Sequence, residues 1–176
     1  HSLIDSVITE SPVRIGRHGY LANVSYFDDT LGDLLDTLRQ TGLSRNTVIL
    51  LTADHGDMLG EHGLWFKKHF FDHASRVPLI VHAPEYFANG RSLVNVSLVD
   101  LLPTLCDLAG FKVADHAPQT LDGSSLFSQC EHPENSNCGA VYAEITSEGV
   151  PAPMFMVRSG QYKLIQGGDV PPVLYD

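Results

Sequence analysis

Positive charge is in short supply. The 176 residues carry 21 acidic side chains against 11 basic ones, a formal net charge of -10. That is the wrong sign for a phosphate backbone, so the balance excludes nucleic acid as a partner. Long hydrophobic runs are missing too: no stretch reaches the roughly 18 apolar residues a membrane span needs, so no membrane partner is expected. Cysteine is scarce, with Cys106, Cys130 and Cys138 forming an odd set that lacks metal-type C-x-x-C spacing. This favours reduced thiols and a cytoplasmic setting, with a periplasmic one left open. Cys130 and Cys138 could bridge a small loop, and both the bridged and the free state stay open. The start, His1-Ser2-Leu3-Ile4-Asp5, has neither the basic opening nor the apolar core of a signal peptide. No internal repeat or low-complexity segment is visible, and the length suits one domain.

What is present alternates between helical and extended patterns. Residues 1 to 13 show weak periodicity and read as an irregular or partly helical lead-in. From about Val13 to Thr41, Leu31, Leu34, Leu35 and Leu38 recur at threes and fours, one face of an amphipathic helix that Gly42 ends. Val48 to Leu51 form a short continuous apolar block, as expected of a central strand covered on both faces. A loop is expected over 56 to 77, then a strand from Leu79 to His82 that Pro84 stops. A helix beginning at Asn95 or Ser97 should run through Ala109, with Pro103 tolerated early and Gly110 closing it. Residues 112 to 139 are rich in turn formers and read mostly as loop. Val141 to Ile145, Met154 to Arg158 and Tyr162 to Ile165 suggest an antiparallel hairpin set.

The chemistry gathers at the end of the first strand. Asn46-Thr-Val-Ile-Leu-Leu-Thr-Ala-Asp54-His55-Gly56-Asp57 places a carboxylate and an imidazole just past an apolar strand, where open α/β sheets collect their active sites. The pair can hold a divalent cation, and Gly56 allows a tight turn that lets both side chains converge. Equally, Asp54 can cap a helix and His55 can be an ordinary loop histidine. Downstream lie Lys67, Lys68, His69, His73 and Arg76-Val77-Pro78, each of which can also be read as a solvated loop residue. Asp28 and Asp29 fall within the first helix and read as capping or surface groups.

In order, a metal-ligand pair after a strand, a Lys, and Arg-x-Pro leading into the next strand resemble the sulfatases of the alkaline phosphatase superfamily, most closely the bacterial choline-sulfatases. The likeness continues in Leu98-Val99-Asp100 to Leu105, Leu121 to Leu126, Ala143-Glu144, and Pro153 through Arg158 to Tyr162-Lys163. It implies an α/β fold: part of an alkaline-phosphatase-like sheet with flanking helices, then a small antiparallel-sheet subdomain. Residues 1–110 would be the C-terminal part of the catalytic domain and 111–176 the start of an incomplete C-terminal subdomain. It further implies Asp54 and His55 as metal ligands, Lys67 as the sulfate-binding and catalytic lysine, and Gly56 and Arg76 as structural residues near the site, Arg76 fixing the loop through hydrogen bonds. Lys68 would be structural or surface-lying. Glu144 would lie near the quaternary ammonium of choline, with Tyr142, Phe155 and Trp65 as aromatic candidates for lining the pocket. The metal implied is Ca2+, with Mn2+ or Mg2+ credible beside a histidine ligand.

The family's nucleophile is a formylglycine made from a Cys or Ser in a Cys/Ser-x-Pro-x-Arg motif. No such motif occurs here. The chain therefore reads as an internal piece of a larger enzyme that hydrolyses choline sulfate, a homo-oligomer at full length. An arylsulfatase or a phosphonate monoester hydrolase is the alternative within the superfamily, and a noncatalytic binding or assembly module is the alternative outside it.

Overall fold

The computed structural model describes residues 10–112, 121–135, 139–147 and 150–176. Two compact units divide the described residues: those up to Lys67 together with 71–80, and 68–70 together with those from Val81 onward. Whether Cys130 and Cys138 are bridged, left open by the sequence, turns on Cys138, which lies outside the described residues.

The first unit opens with helix α1, Glu10–Gln40. Its C-terminal signal works as the sequence suggests: Gly42 adopts the left-handed conformation at φ 75°, where a side chain would be strained. Leu31, Leu35 and Leu38 are half-buried, whereas Leu34 stays exposed. Strand β1 spans Ile49–Thr52 and is half-buried along its length, so among the described residues neither face has the full cover expected of it. It pairs with β4, Leu79–His82, and Thr52 Oγ1 donates to the Pro78 carbonyl at 2.8 Å.

Between them the expected long loop is organised. Strands β2, Met58–Leu59, and β3, Trp65–Phe66, pair antiparallel, and helix α2 covers Asp72–Ser75. These elements are two to four residues long, too short for a periodic pattern to register. Tertiary anchors hold them instead. Met58 is fully buried, and Arg17 on α1 donates to the Leu59 carbonyl at 3.0 Å and to Glu61 at 2.8 Å.

In the second unit, Ser97 and Asp100 form a capping box for a 3-10 turn that leads into helix α3, Leu101–Leu108. Gly110, at φ 67°, ends the segment as expected. Helix α4, Phe127–Glu131, was not anticipated within the region read as loop. Its first turn is tied to α3 through Thr104, which is fully buried: its Oγ1 donates to the Asp100 carbonyl and accepts from the Leu126 amide at 2.8 Å. Strands β5 Ala140–Ile145, β6 Met154–Ser159, β7 Tyr162–Gly167 and β8 Val173–Tyr175 form an antiparallel sheet in that order. The β6–β7 hairpin turns on Gly160-Gln161, with Ser159 opposite Tyr162 and Gly160 at φ 56°. Strand β8, three exposed residues, carries too little pattern to be read in advance.

Candidate active site

Strand β1 delivers Asp54 and His55 to the point where the chain leaves the sheet. The Asp54 carboxylate accepts from the His55 amide at 3.0 Å through Oδ1, while Oδ2 stands 3.2 Å from His55 Nε2. His55 Nδ1 lies 2.9 Å from the Gly56 carbonyl and Nε2 lies 2.6 Å from Lys67 Nζ. One tautomer satisfies both contacts: Nδ1–H donates to the carbonyl, and Nε2 keeps a lone pair that accepts from the ammonium. That same Nε2 lone pair is the one a metal ion would take, so a bound cation would displace the Lys67 contact. Asp54 Oδ2 and His55 Nε2 fit a divalent cation on this geometry, since adjacent ligands about 2.2 Å from one ion stand roughly 3.1 Å apart. Among the described residues no cluster of three or more His, Cys, Asp or Glu side chains comes together for a metal, so this pair would supply at most part of a coordination shell.

Gly56 has a different reason from the one its sequence context suggests. Its φ is not in the left-handed region, but a Cβ there would run into the carbonyl of His73. The Gly56 amide donates to the Ala74 carbonyl at 2.9 Å, so the strand exit and α2 lie backbone against backbone. That close approach holds the Asp54-His55 exit in place.

Lys67 is exposed and sits between two strained residues: Phe66 has φ 66° and Lys68 φ 89°. Non-glycine residues in that region cost about 1–3 kcal/mol each and persist only where the surroundings enforce them, typically at functional sites. His62 is a third such residue, at φ 54°, and its ring stacks on Phe71 with centroids 4.4 Å apart.

Arg76 departs from expectation. Its side chain is exposed and makes no hydrogen bond among the described residues; the loop is tied by its backbone amide, which donates to the Asp72 carbonyl at 2.9 Å. Glu61, which sequence reasoning passed over, does the work assigned to Arg76. Its carboxylate accepts from the Leu59 amide at 2.6 Å and from Arg17, and the Leu59 hydrogen bond chiefly holds it below the ordinary glutamate pKa. No sequence signal marks it, because the pairing with Arg17 spans 44 residues.

Glu144 belongs to the second unit. It is exposed on β5, directly across from Phe155 on β6, with Tyr142 two residues away on the same face. Trp65, the other aromatic candidate, lies in the first unit, its ring close against Gly16 of α1. His69 is half-buried and His73 exposed, the latter contributing its carbonyl at Gly56.

The sulfatase family model matches residues 15–111, more than half of the chain. The chain belongs to the sulfatase family. It is 41% identical over 169 residues to a choline-sulfatase of Rhizobium meliloti, covering 96% of this chain and 32% of that protein. It is 33% identical to arylsulfatase K of Bos taurus, again over 96% of this chain and 32% of the relative. This sulfatase sequence thus spans about a third of the length of the curated relatives it matches. Among solved structures, a protein bound to its substrate D-glucosamine-2-N,6-O-disulfate superposes with a TM-score of 0.79 at 30% identity, over 89% of this chain and 33% of that one. The phosphonate monoester hydrolase of Agrobacterium radiobacter gives 0.73 at 27% identity, over 85% and 32%. The expected architecture is therefore present: sulfatase α/β elements followed by a small antiparallel sheet.

Proposed function

We propose that this chain is part of a sulfuric ester hydrolase acting on choline O-sulfate, and that it supplies the lysine that binds the sulfuryl group and two ligands of the metal site. The observation that carries the reading is the position of Lys67 Nζ, 2.6 Å from the imidazole that ends strand β1 beside Asp54. A compact cation held there by a strained loop is suited to bind one sulfuryl oxygen and to offset charge developing on the leaving-group oxygen. Asp54 and His55 would hold a divalent cation, Ca2+ in this reading with Mn2+ or Mg2+ as alternatives, which supplies Lewis acidity toward the ester and helps ionise the nucleophile. That nucleophile, a formylglycine, would come from outside these residues. Gly56 and Glu61 hold the backbone that carries these groups; neither reaches substrate in this scheme.

The choice of choline is supported by the 41% identity with a choline-sulfatase and by the chemistry of β5 and β6. A trimethylammonium group has no N–H to donate, so a carboxylate and aromatic faces must recognise it. Glu144 beside Phe155 and Tyr142 offers that combination. The competing reading, an arylsulfatase or a phosphonate monoester hydrolase, draws on the other relatives. Glu144→Gln in the full-length enzyme separates them. On the choline reading it raises KM for choline sulfate by about tenfold or more, the loss of one charge-assisted contact, and leaves an aryl sulfate unaffected. Equal effects on both substrates would favour the competitor.

A further inference from the structure

Strand β7 holds a charge where its pattern calls for an apolar side chain. Tyr162, Leu164 and Leu174 are exposed on one face of the sheet, while Lys163 faces the other and is only 5% exposed. Its direct cross-strand neighbours are Arg158 on β6 and Tyr175 on β8. Like charges opposite each other weaken a sheet, so the pairing with Arg158 does not by itself favour a lysine here, and a buried lysine is retained only with partners. Its Nζ donates to the carbonyl of Phe70 at 2.8 Å, a contact spanning 93 residues. Phe70 is itself buried, and it lies three residues after Lys67 in the strained stretch where Phe66 and Lys68 hold positive φ.

We propose that Lys163 is a positioning residue for the loop that carries Lys67: its ammonium clamps the Phe70 carbonyl and keeps the strained 66–70 backbone from relaxing. A strained conformation persists only if its surroundings over-determine it. A charge-assisted bond to a backbone carbonyl in a buried setting is a strong local constraint. Lys163 does not touch substrate in this scheme; it acts through Lys67. The kinetic consequence rests on the sulfatase reading above, whereas the clamp itself does not.

The loop contains its own reporter, because trypsin cuts after Lys67 and Lys68. In the full-length protein, Lys163→Met should speed cleavage at Lys67-Lys68 by about tenfold or more, the scale of one lost hydrogen bond, with cleavage after the exposed Arg91 unchanged. Lys163→Arg, which can still donate to the carbonyl, should restore most of the resistance. If the methionine variant fails to fold, Lys163→Gln, polar but too short to reach Phe70, takes its place. With choline sulfate, the clamp-less variant should lose kcat about tenfold with KM changed much less, and the arginine variant should recover it. Faster cleavage at Arg91 to the same degree, or no change at Lys67-Lys68, would overturn the clamp and leave Lys163 an ordinary core residue. A wild-type protein that turns over no sulfate ester would refute the sulfatase reading, and the proteolysis result would still decide the clamp.

Discussion

Lys67 and Lys68 are adjacent, equally charged and both exposed, yet the structure gives them different work. Lys67 reaches His55 Nε2, while Lys68 holds a backbone angle that favours glycine. In the full-length enzyme Lys67→Ala should lower sulfate-ester turnover by roughly 10²-fold, as when one preorganised donor is lost. Lys68→Ala should lower it far less; equal losses would mean that the anion site is assigned one residue out of register. Lys68→Gly should leave activity intact and raise stability by up to about 1 kcal/mol in denaturant unfolding, because relief of left-handed strain outweighs the added chain entropy. Gly56→Ala should destabilise by about 1–3 kcal/mol, since its Cβ meets the His73 carbonyl. Residues of this kind were partly legible in advance. Asp54 and His55 follow an apolar strand directly, so their convergence could be read from the chain. The true constraint on Gly56 could not, because it comes from backbone 17 residues away.

Elements with a period were the ones that could be read. The 31-residue α1 and the β5, β6 and β7 strands of six residues each carry enough repeats to show their faces, and Leu79–His82 emerges as expected. Strands β2, β3 and β8 and helices α2 and α4 are two to five residues long and exist through tertiary contacts. The bond from Thr104 to the start of α4 shows the difference. Thr104→Val keeps the shape but leaves the Leu126 amide without its acceptor, so it should destabilise by about 1–3 kcal/mol in denaturant unfolding. Unchanged stability would mean that α4 holds without this contact. The β2–β3 region has a pH signature. The folded-state pKa of Glu61 is lowered, first by the Leu59 hydrogen bond and also by Arg17, so its contribution is fully present above the unfolded value of about 4.3. It is lost as pH falls through the folded value. Acid unfolding of wild type and Glu61→Gln should therefore differ most above that window and converge below it; parallel curves would remove Glu61 from the account.

At the scale of the whole molecule, the chain matches about a third of each relative's length. The described residues bring together a cation and two metal-type donors, while the nucleophile motif of the family is absent from the sequence. The purified 176-residue chain should accordingly hydrolyse neither choline sulfate nor an aryl sulfate, and bind Ca2+ or Mn2+ weakly. Sub-micromolar affinity by calorimetry would show a more complete site than Asp54 and His55 provide. The most direct test of the central claim is steady-state turnover by the full-length, metal-loaded enzyme on choline sulfate, an aryl sulfate and a phosphonate ester, side by side. The account predicts that kcat/KM is highest for choline sulfate and that Lys67→Ala lowers it by roughly 10²-fold. Preference for the phosphonate ester, or sulfate-ester turnover that Lys67→Ala leaves untouched, would contradict it.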